Sequence, residues 1–66
     1  MITPKEKEVL GLLAAGFSSK EIADKLSISF HTVESHRKNL RQKFNARNIA
    51  EVISKAYLSQ PLQVVV

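Results

Sequence analysis

The chain has 66 residues, no cysteine and 44% hydrophobic content, with a formal net charge of +4. That length allows one domain, which hides only about 60% of its unfolded surface on folding, and the absence of cysteine excludes disulfide bonds and thiolate metal sites. The hydrophobic share excludes a disordered tail, no apolar run reaches the roughly 18 residues of a membrane span, and no secretory leader is recognisable at the N-terminus, so the expected location is cytoplasmic.

Four helix starts are written along the chain. The first is Thr3-Pro4-Lys5-Glu6, with a capping threonine, proline at the first helical position and glutamate three residues after the cap. Val9, Leu10 and Leu13 follow at helical spacing, and Gly16 is a natural stop, which predicts a helix over about 4–15. Ser18-Ser19-Lys20-Glu21 repeats the capping box and opens a short helix over 19–26, with Ile22, Ala23 and Leu26 on its apolar face. Ser29 caps a third helix, over 30–44, whose apolar residues Val33, Leu40 and Phe44 fall on one stripe. Asn48-Ile49-Ala50-Glu51 is a fourth start, and Ile49, Val52, Ile53, Ala56 and Tyr57 carry the pattern over 48–58 until Pro61 forbids continuation. The expected fold is all-α, a four-helix bundle occupying residues 1–59, with 60–66 as a loose end.

The second and third helices have the makings of a helix-turn-helix. Ala23 is small where a partner helix must approach, and Ile22, Leu26, Ile28 and Val33 can pin the turn. The turn carries Ser27 where glycine is common, and a serine in the left-handed conformation costs about 1 kcal/mol.

Charge is concentrated in the same region. Residues 1–28 balance four basic groups against four acidic ones, and residues 48–66 set Lys55 against Glu51. The excess lies in 29–47, where Arg37, Lys38, Arg41, Lys43 and Arg47 face Glu34 alone. Such a block is either a solvated helix face or the docking surface of a polyanion. With Val33 turned to the core at about 100° per residue, His31, Glu34, Ser35, Lys38 and Gln42 gather on the opposite face. Thr32, Asn39 and Lys43 flank one side, and Arg37 and Arg41 the other. A polar centre with cationic flanks suits base edges between two phosphate rails.

His31 and His36 stand about 140° apart on the helix and cannot share a metal ion. His36, at the edge of the core face, is expected half-buried and hydrogen-bonded to backbone, with a phosphate contact as the alternative. No nucleophile–base pair and no glycine-rich phosphate loop is present, so no enzyme and no cofactor are expected.

At Thr32-Val33-Glu34-Ser35-His36-Arg37 the sequence resembles the LuxR-type helix-turn-helix family of bacterial transcription regulators. The resemblance runs over about residues 2–58, through Glu6-Lys7-Glu8-Val9-Leu10, Gly16-Phe17-Ser18-Ser19-Lys20-Glu21-Ile22-Ala23, Leu26-Ser27-Ile28-Ser29, Lys43-Phe44 and Asn48. It implies a third helix lying in the major groove of double-stranded DNA. Glu34, Ser35 and Lys38 align with base-contacting positions; the helix wheel adds His31. Lys20 and Thr32 align with phosphate contacts, to which the charge reading adds Arg37, Arg41, Lys43 and Arg47. The resemblance further implies a homodimer through the fourth helix, with Ile49, Val52, Ile53 and Ala56 as packing positions, on a two-fold DNA site. It leaves a contact with RNA polymerase open, as it does an upstream receiver or ligand-sensing domain.

Two positions depart from the family pattern. Many members carry a base where Glu34 stands; here the carboxylate either accepts from a cytosine amino group or pairs with Lys38 one turn on. Ile49 stands where arginine is frequent, which suits a helix–helix interface. The rival readings are a domain similar to region 4 of a sigma factor and a helical protein-interaction adaptor working through Ile49–Tyr57. The His36-Arg37-x-Asn39 continuation speaks against the first, and the confinement of charge to 29–47 against the second.

Overall fold

The structure, a computed structural model, describes residues 2–58. The expected loose end over 60–66 lies outside the described residues. Four helices follow in order: α1 (Pro4–Ala14), α2 (Ser19–Leu26), α3 (Phe30–Lys43) and α4 (Ile49–Leu58). No strand occurs among the described residues. Each boundary falls within one residue of the sequence expectation.

Both capping boxes form. Thr3 Oγ1 accepts from the Glu6 N–H at 3.1 Å while Thr3 N–H donates to Glu6 Oε1 at 2.9 Å. Ser18 and Glu21 repeat the exchange at 3.2 and 2.8 Å. Each reciprocal pair satisfies donors that a helix start would otherwise leave to water. Ser29 Oγ accepts from the Thr32 N–H and starts α3. The fourth start is built differently from the expected box. Asn48 Oδ1 caps Glu51 N–H at 2.8 Å, but the Glu51 carboxylate reaches past Asn48 to the N–H of Arg47 at 2.7 Å.

The first three helices share one kind of ending. Gly16, Ser27 and Asn45 each take a positive φ, at 101°, 56° and 52°. Around each, one N–H reaches back five residues: Phe17 to Leu12 O, Ile28 to Ala23 O, and Ala46 to Arg41 O. The preceding N–H reaches back three, to Leu13 O, Asp24 O and Gln42 O. This six-to-one, five-to-two pattern satisfies the last carbonyls and reverses the chain sharply. Ser27 therefore does adopt the left-handed conformation.

The core is Val9, Leu13, Ile22, Ala23, Val33, Leu40 and Val52. Helix α3 packs against all three other helices, whereas α2 and α4 do not meet. Phe44 is not inside the helix with Val33 and Leu40; it caps α3 and is only partly buried against the core. The larger correction concerns Val52. Expected on a dimer surface, it is fully buried in the chain's own core and has no area to offer a second copy.

Polar contacts fasten the far end of α3. Lys43 Nζ donates to Glu6 Oε1 at 2.8 Å, and the Glu6 side chain is only 5% exposed. Lys55 Nζ on α4 donates to Phe44 O at 3.1 Å and Asn45 O at 2.9 Å, placing a cation on the orphan carbonyls of the helix end. The Lys43 ammonium, together with the Thr3 N–H, holds the Glu6 carboxyl below its ordinary value of 4.5 against the opposing effect of burial. A depressed folded-state value stabilises the fold above the unfolded value, and the gain is lost as pH falls through the folded value. Glu6→Gln should therefore cost about 1 kcal/mol near neutral pH, discounted for the partial exposure of Lys43. Urea unfolding followed by circular dichroism should show the gap between the two proteins closing as the pH drops below 4.5. A gap independent of pH would contradict the assignment.

Candidate nucleic-acid interface

The turn between α2 and α3 sets the site. Left-handed Ser27 redirects the chain, Ile28 tucks against the core, and Ser29 restarts a helix at once. Ala23 is nearly fully buried beneath the approach of α3. With Val33 and Leu40 fully buried, the rest of α3 is forced into a defined rotation.

That rotation leaves His31, Ser35, Lys38 and Gln42 exposed, spaced as neighbours along one stripe. Asn39 and Thr32 are exposed beside it. The C-terminal half of this face carries an open depression of about 340 Å3 lined by Lys38, Arg41, Gln42, Asn45 and Ala46, with no carboxylate among them. The stripe is rich in donors and stands clear of other helices, as base edges require.

The charged residues divide into groups that the sequence did not separate. Glu34 is partly exposed and its Oε2 lies 3.7 Å from Arg37 Nε, so its partner is Arg37 and not Lys38. The pair is solvent-facing and therefore weak. Lys38 is exposed and has no ion-pair partner among the described residues. Arg41 is partly buried; its Nε is shielded from solvent and has no hydrogen-bond partner among the described residues. Arg47 projects from the α3–α4 connection with its side chain 89% exposed, its Nε 3.4 Å from Glu51. Lys20 is exposed on the first turn of α2. The Thr32 hydroxyl lies 2.9 Å from Ser29 Oγ, so it belongs to the cap as well as to the surface.

Lys43 is the clear exception. Counted in the basic block as a phosphate contact, it is turned to Glu6 on α1. The signal was obscure in sequence because the two residues stand 37 positions apart. His36 is half-buried as its offset suggests, but its side chain makes no hydrogen bond among the described residues, to backbone or otherwise. On α4, Ile49 and Ile53 pack partly against the core and Ala56 is partly buried, while Tyr57 is exposed. Among the described residues, no group of three or more His, Cys, Asp or Glu side chains is placed to hold a metal ion, and no helix is long and apolar enough to cross a membrane.

Residues 1–56 match the family of bacterial regulatory proteins described as the luxR family. The transcriptional regulatory protein MctR of Rhizobium johnstonii is 47% identical over 55 residues, which cover 83% of this chain and 26% of that protein. The tetrathionate response regulatory protein TtrR of Salmonella typhimurium is 43% identical over 54 residues, 82% of this chain and 26% of its own. The oxygen regulatory protein NreC of Staphylococcus carnosus is 39% identical over 56 residues, 85% and 26% of the two chains. The chain thus spans about a quarter of the length of these relatives. A helix pair joined by a left-handed turn, a donor-lined α3 and the family match agree: the chain belongs to the luxR family of bacterial regulatory proteins, as a DNA-binding helix-turn-helix domain.

Proposed function

We propose that α3 enters the major groove of duplex DNA and reads base edges with His31, Glu34, Ser35 and Lys38. The observation that carries this reading is the exposed stripe His31–Ser35–Lys38–Gln42, backed by buried Val33 and Leu40. Lys20, Thr32, Arg37, Arg41 and Arg47 serve the phosphates. Glu34 has two states in this reading: paired with Arg37 in the free domain, and accepting from a cytosine amino group when Arg37 moves to phosphate. Lys43 is left out of the contact set because its ammonium is held by Glu6.

Two copies bind a two-fold site, each reading a half-site about 34 Å from the other. Ile49, Ile53 and Ala56, with part of their surface still open, are the residues of α4 that bring the copies together; Val52 is not among them. The relatives are about four times longer than the match. The domain therefore serves as the output end of a longer regulator whose other part receives the signal.

Two measurements test this. Binding to fluorescent mixed-sequence duplexes should weaken steeply with salt, and Arg41→Gln should reduce the log–log slope by about 0.9. Lys43→Gln should leave the slope unchanged; an equal reduction would return Lys43 to the phosphate set. In selection from a randomised duplex library, Lys38→Ala should relax preference at one base position, a discrimination of about 1–3 kcal/mol, whereas Arg41→Ala weakens all sequences alike. Identical behaviour of the two variants would refute the division of the face.

A further inference from the structure

Phe30 is the first residue of α3, directly after the Ser29 cap. It is 54% exposed and is not among the side chains packed against the core. The two aliphatic residues of this helix, Val33 and Leu40, are fully buried. An isolated apolar side chain on a protein surface is ordinary. The place of this one is not, because the first turn of a recognition helix is the part that comes nearest the base edges.

Its register adds a second constraint. Phe30, Glu34, Arg37 and Arg41 stand at offsets of four, seven and eleven, which puts them along one flank of α3. That flank leads toward one phosphate rail through Arg37 and Arg41. A ring there meets the wall of the groove and not its floor. The thymine C5-methyl is the one apolar group the major groove displays, and it lies on that wall, close to its own strand's backbone. Cytosine offers only a C5–H at that place, with less surface to pack on, and a purine presents N7 and its O6 or N6 group, which the ring would leave without hydrogen bonds.

We infer that Phe30 is a specificity-determining residue that packs on the C5-methyl of a thymine in each half-site, an assignment that rests on the proposed entry of α3 into the major groove. It adds an apolar contact to a reading face otherwise made of donors and acceptors.

The test uses the 66-residue chain and a randomised duplex library. In the enriched duplex each thymine is replaced in turn by deoxyuridine, which removes the methyl and nothing else. At one thymine per half-site the wild-type chain should lose about fourfold in affinity, the effect of one buried methyl. Phe30→Ala should bind the parent duplex more weakly and be indifferent to that replacement. Phe30→Leu should keep part of the discrimination, which also controls for a folding defect in the alanine variant. Indifference of the wild-type chain to every deoxyuridine would overturn the inference and leave the major-groove reading standing. The same loss in Phe30→Ala as in wild type would do so too. Failure of the wild-type chain to enrich any sequence would overturn both.

Discussion

The domain depends on the rotation of α3 about its own axis. Two fully buried side chains, Val33 and Leu40, set that rotation, and everything the helix shows to solvent follows from it. A shift of one residue would turn the exposed stripe by about 100° and carry Lys38 away from its present side of the helix. At 66 residues the core is too small to hold a helix by area alone. The ends of α3 are accordingly fastened by specific polar contacts: the Ser29 cap at its start, and the Lys43–Glu6 and Lys55–carbonyl contacts at its finish.

The same economy explains how charge is used. The basic block of residues 29–47 is not a uniform field. Lys43 is directed inward to a buried carboxylate, Arg37 is held loosely by Glu34, and Arg47 leans on Glu51. Lys38 stands exposed on the stripe with His31, Ser35 and Gln42. Loose pairs such as Glu34–Arg37 keep a carboxylate neutralised in the free domain and separate at little cost when phosphate arrives. The acid that looked out of place on a DNA-facing helix thus has a partner, although a different one from the Lys38 expected from helical spacing.

Local features of the fold were legible because they obey local rules. The Thr3–Glu6 and Ser18–Glu21 boxes, the Ser29 cap and the buried Val9, Leu13, Ile22, Val33 and Leu40 all follow from residues within a few positions of one another. Tertiary choices were not. Nothing near Lys43 announces Glu6, and nothing in the periodicity of α4 says that Val52 is buried in the chain's own core while Ile49 and Ile53 stay partly open. A helical stripe says which residues share a face, not whether that face meets its own chain or another. The Asn45 turn was also missed, since asparagine is a weaker signal for the left-handed conformation than glycine.

The central claim is that the domain meets DNA with the exposed side of α3 and the start of α2. Its most direct test is a nitrogen-15 NMR titration of the chain with duplex DNA. The account predicts that the amide shifts cluster on Ser18–Lys20 and Ser29–Gln42, with Val9, Leu13 and the α4 amides Val52–Tyr57 little moved at low protein concentration. Shifts centred on α4 and the α1 face beside it, with His31, Ser35 and Lys38 unmoved, would contradict it.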